Sequence, residues 1–79
     1  MTKSEIQDAA NIDHIRKLRA NGHHFEFTTF RTSKGSIAVC LRLWHRNDTK
    51  RINELAGGCL GKFISQKYAE AYIRQMEAT

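Results

Sequence analysis

The stretch Ser36–Arg46, SIAVCLRLWHR, alternates in a way that fixes which side chains share a face, and its reading decides the fold. Successive side chains of a pleated strand point to opposite sides. Ile37, Val39, Leu41 and Leu43 therefore form one face, the inner surface of a half-buried strand. Ala38, Cys40, Arg42, Trp44 and Arg46 form the other, which carries an indole between two guanidinium groups. The expectation is that these three side chains look outward.

On the N-terminal side, His23–Thr32 (HHFEFTTFRT) is rich in aromatic and β-branched residues, which suit a pleated surface. The polar connection Thr32–Ser36 contains a glycine, so the two strands are expected to form an antiparallel hairpin. Phe25 and Phe27 then join the Ile37 series, and His24, Glu26, Thr28 and Phe30 join Arg42 and Trp44. Further out, Thr2 and Glu5 have the spacing of a capping box, which starts a helix near Lys3. Ile6, Ala9, Ile12, Ile15 and Leu18 are read as its apolar stripe, with Asn11 off it. Asn21 and Gly22 end the helix.

On the C-terminal side, Asn47–Gly61 admits either a short helix carrying Ile52, Leu55 and Ala56 or a strand that stops at a glycine pair. Leu60–Ile64 reads as a brief strand and Ser65 as the cap of a last helix. That helix carries Ala69, Tyr72, Ile73 and Met76 at the spacing of a packed stripe. The resulting fold is α+β: a small antiparallel sheet of two to three strands with an N-terminal and a C-terminal helix, in a single domain over residues 1–79. Helices on one face leave the other face of the sheet uncovered. Which face the first helix takes is open.

Thirteen Lys and Arg against eight Asp and Glu give a formal charge of +5, which favours an acidic partner. A chain of 79 residues has room for one small core and no second domain. It contains no apolar run of membrane-spanning length and no apolar N-terminal signal, so a cytoplasmic protein is expected. In that reducing compartment Cys40 and Cys59 are expected as free thiols.

At the last strand-to-helix junction, Leu60-Gly61-Lys62-Phe63-Ile64-Ser65 followed by Ala69 resembles a pattern found in two families of DNA-binding domain. These are the domains of plant ethylene-response factors and the similar arm-binding domains of tyrosine integrases, each a three-stranded sheet plus a helix. Gly35–Arg42 resembles their second strand. The resemblance spans about Thr28 to Met76 and implies a sheet whose open face lies in the DNA major groove, with arginines and an aromatic in contact. The chain departs from the pattern in a longer Asn53–Cys59 stretch and an added leading helix.

The same reading follows from the side chains themselves. Arg42, Trp44 and Arg46, with Phe30 and Arg31 nearby and Lys34 at the hairpin end, fit a double-stranded DNA surface. Guanidinium groups take phosphates or guanine edges bidentately, and an aromatic packs on base or sugar. The plain alternative is a Trp44 folded under the first helix and arginines that are merely solvated. An acidic protein partner suits the same face, because Trp and Arg dominate many binding surfaces; small inhibitors from phages and mobile elements work in this way. A metal-independent ribonuclease is the third reading, with His24 or His45 moving a proton beside Glu26 and Arg42 holding phosphate. Cys40, His45, Cys59, His23 and His24 lack the spacings of a zinc site, and no cofactor motif occurs.

Overall fold

The computed structural model describes residues 2–79. Its elements are α1 (Lys3–Ala20), β1 (His24–Arg31), β2 (Ile37–Trp44), β3 (Glu54–Leu55), β4 (Cys59–Phe63) and α2 (Gln66–Glu77). β1 and β2 form the expected hairpin, with His24 opposite Trp44 and Arg31 opposite Ile37. β3 and β4 both pair antiparallel with β2. They are two pieces of one interrupted edge strand, so Asn47–Gly61 contains the strand reading and not the helix.

The interruption has a steric cause. A Cβ on Gly57 would stand 2.0 Å from the Leu41 carbonyl oxygen, so only glycine lets the chain press against β2 there. The Leu41 amide donates to the Gly58 carbonyl at 2.9 Å, which ties the gap to the central strand. Beyond it a bulge shifts the register between Val39 and Cys40. Val39 faces Gly61 and Cys40 faces Cys59, which leaves Leu60 as the extra residue, and Leu60 drops into the core.

Both helices cover the Ile37 face. Ile37, Val39, Leu41 and Leu43 pack with Ile15 and Leu18 of α1 and with Ala69, Tyr72 and Met76 of α2. The α2 stripe is thus as expected. At its start Ser65 sits in the cap position with extended backbone, but its side chain makes no capping hydrogen bond.

In α1 the Thr2 hydroxyl accepts from the Glu5 amide at 3.2 Å, and Gly22, at φ 74°, follows the helix end. The expected apolar stripe fails in its first half: Ile6 is 56% exposed and Ala9 is also exposed. A three-residue repeat falls about 60° short of a full turn at every step, so five such residues cannot share one side. Asn11, four residues before Ile15, is buried in their place. Its amide donates to the Leu60 carbonyl at 2.9 Å and to the Tyr72 hydroxyl at 2.5 Å, and its oxygen accepts from Gln7 at 3.0 Å. A polar residue is needed there because the bulge leaves a main-chain group without a ladder partner. Burial raises the Tyr72 pKa, and the bond from Asn11 acts against that rise.

At the other end of α1, Arg19 donates to the carbonyls of Glu77 (2.9 Å) and Thr79, closing the C-terminus of α2. No described helix is long and apolar enough to cross a membrane.

Candidate nucleic-acid interface

The hairpin register places His24, Glu26, Thr28 and Phe30 beside Trp44, Arg42, Cys40 and Ala38 on the face away from the helices. This arrangement matches the alternation read from sequence. The face divides into two halves of different character, separated by the row Thr28, Cys40, Cys59.

In the first half, the outward indole is corrected. Trp44 is 2% exposed, although no helix covers it. Its cover is a pair of guanidinium groups, those of Arg42 and Arg51, each 4.9 Å from the ring. Arg42 donates to Glu54 at 2.7 Å and to Glu26 at 2.9 Å, and Arg51 donates to Glu26 at 3.1 Å. The bond to Glu54, foremost among its interactions, raises the Arg42 pKa. Two cations and two carboxylates cancel, so this half is close to neutral. Arg42 is committed to acidic neighbours rather than to a phosphate.

The lid depends on the loop between β2 and β3. Asp48 accepts from the amides of Ile52 (3.0 Å) and Asn53 (2.7 Å), and these bonds hold its carboxyl below the usual range. The turn they fix places Arg51 at φ 54°, an unusual conformation for a residue with a side chain. A lowered pKa in the folded state means that the contribution of Asp48 is present above its unfolded value, about 3.9, and is lost as pH falls through the folded value. Acidification below about pH 4 is therefore expected to loosen the lid and make Trp44 accessible to acrylamide quenching. Asp48→Asn should show raised quenching already at pH 7. Equal quenching of the two proteins at pH 7 would remove the loop from this role.

Arg46 lies beyond the end of β2 and does not stand in line with Trp44. Its amide donates to His23 Nδ1 at 3.1 Å, its carbonyl lies 3.2 Å from His24 Nε2, and its side chain is exposed beside the Gly22 corner. The three aligned residues of the sequence reading are thus one buried ring, one ion-paired arginine and one exposed arginine at a separate corner. The ribonuclease constellation is likewise engaged elsewhere: His24 contacts main chain, and both Glu26 oxygens hold arginines.

The second half, toward the hairpin turn, is different. Phe30, Ala38 and Lys62 form one row across the sheet, with Phe30 52% exposed. Lys34 is exposed in the turn that joins β1 to β2. Arg31 pairs with Ile37 and so points to the helix side of the sheet, although it too is exposed at this end. Among the described residues, no ion pair engages Arg31, Lys34 or Lys62. Lys62 lies in β4, opposite Ala38 of β2. Its place on the sheet follows from alternation within Cys59–Phe63, once that run is paired with β2.

The free-thiol expectation is also corrected. Cys40 and Cys59 oppose one another across β2 and β4 and form a disulfide. Pairing across 19 residues depends on the register that the bulge sets, which spacing alone does not reveal. Among the described residues, no three His, Cys, Asp or Glu side chains converge on a metal position.

Comparisons with protein-family models, with curated proteins and with solved structures gave no match.

Proposed function

We propose that the protein binds double-stranded DNA through the hairpin half of its helix-free sheet face, as an accessory or regulatory factor. The observation that carries this reading is the row of Phe30, Ala38 and Lys62, with Lys34 in the hairpin turn: an exposed aromatic among cations with no acidic partner among the described residues. Three strands at about 4.8 Å spacing span roughly 10 Å, which suits a major groove about 12 Å wide. Lys34 and Lys62 take phosphates, Arg31 reaches the backbone from the strand end, and Phe30 packs on sugar or base. The neutral Trp44 half braces the sheet and adds little to affinity.

The test is fluorescence anisotropy with a labelled mixed-sequence duplex across a salt series. Binding in the tens of micromolar or tighter at low salt is expected, with log affinity falling linearly in log salt. Lys34→Glu with Lys62→Glu should weaken binding at least tenfold and reduce the slope by about 2, since each phosphate contact contributes about 0.9. Phe30→Ala should weaken binding without changing the slope. No binding at low salt overturns the proposal and favours the acidic protein partner, for which the exposed Phe30 beside cations is the specific support. Capture of a partner that survives nuclease treatment would mark that second case.

A further inference from the structure

We infer that the outer side of α2 is a self-association surface, which joins two copies of this chain with their α2 helices antiparallel. On that helix Lys67, Glu70, Arg74 and Glu77 recur at steps of three and four residues, so they share one side, and all four are exposed. Their order is positive, negative, positive, negative. Lys67 and Glu77 lie symmetrically about the level of Tyr72, as do Glu70 and Arg74. When the helix meets a copy of itself running the opposite way about that level, Lys67 faces the second copy's Glu77, and Glu70 faces its Arg74. A two-fold interface brings the same patch of both chains together, so each match occurs twice.

The adjoining side of α2 supplies the apolar contact. Ile64, just ahead of the helix, then Tyr68, Ala71 and Gln75 follow at four- and three-residue steps, and all are exposed. Ile64 is 84% and Tyr68 56% exposed, and both line a shallow groove with Phe63 and Lys62. In the antiparallel pairing Ala71 falls next to its own copy at the centre, where a small side chain permits close approach of the helix axes. Tyr68 then lies against the second copy's Gln75, and Ile64 reaches the end of its helix. Among the described residues, none of the four charged groups is engaged in an ion pair within its own chain.

A second copy fits this surface better than an unrelated partner because the charge order complements itself and is not of one sign. The stripe points away from the side of α2 that packs on the sheet. The helix-free sheet face of each copy remains uncovered in the pair, so this inference does not depend on the DNA-binding proposal.

Sedimentation equilibrium of the whole protein at low salt, from about 1 to 300 µM, reads the association. The expected result is a concentration-dependent dimer that weakens as salt rises. Glu70→Arg should weaken it roughly tenfold or more, because two matched pairs become repulsive at once. Adding Arg74→Glu to the same chain restores opposite charges and should return the dimer. Circular dichroism checks that these exposed substitutions leave the fold intact. A monomer throughout the concentration range overturns the inference, as does a double variant that stays as weak as Glu70→Arg. DNA binding by a strictly monomeric protein would leave the proposed function standing while this surface falls.

Discussion

Gly57→Ala is expected to cost about 3 kcal/mol or more, which for a chain of this size is a large share of a total of roughly 4 to 12 kcal/mol. The added carbon would stand 2.0 Å from the Leu41 oxygen and 2.7 Å from its carbonyl carbon. Both are backbone atoms of the central strand, so no side-chain rotation relieves the clash. The edge strand must move away from β2, and the Leu41 amide then loses the Gly58 carbonyl at 2.9 Å. Gly58→Ala is the control, because φ there is 75° and nothing lies within 4 Å of the added carbon. Its cost is limited to the left-handed backbone, about 1 to 2 kcal/mol. Urea unfolding followed by circular dichroism separates the two. Equal midpoints for the two variants would show that the contact at Gly57 does not determine stability.

Trp44→Ala is the second large effect, with an expected loss of about 3 to 5 kcal/mol. The ring is 2% exposed, so the cost is that of emptying a packed site, even though the site lies on the face without helices. Removal also leaves Arg42 and Arg51 without the ring they stack on. Trp44→Phe keeps an aromatic platform and should lose less than half as much. DNA affinity of folded Trp44→Phe should match the parent, because the indole is internal to the lid. A substantial loss of affinity with unchanged stability would return Trp44 to the contact surface.

The faces of β1 and β2 were legible because two-residue alternation is a geometric property of a strand, and His24 through Phe30 followed from the hairpin register. The last helix was legible for a similar reason, since Ala69, Tyr72, Ile73 and Met76 keep helical spacing. What escaped were features made by segments distant in sequence. The burial of Trp44 depends on a loop that returns Arg51 over the ring, and a positive φ at arginine leaves no compositional signal. Glu54 became a partner of Arg42 only once β3 paired with Trp44. Asn11 looked like a surface residue because its partners, Leu60 and Tyr72, are 49 and 61 residues away. Its spacing to Ile15 and Leu18, four and then three residues, was the available clue. Arg42 and Trp44 were therefore named from alternation, whereas the carboxylates that neutralise Arg42 came from other strands.

The anchors of α1 to Leu60, Tyr72 and the end of α2 have a consequence for assembly. Contacts between neighbours in sequence form early, and closures across half a chain or more come late and carry an entropic penalty. The β-hairpin is self-contained, whereas α1 finds its hydrogen-bonding partners only after the bulge exists and α2 has arrived. The helix that comes first in chain order is thus the last of these elements to be secured. Until then Ile15 and Leu18 lack most of their cover, a period in which the nascent chain is most open to a chaperone.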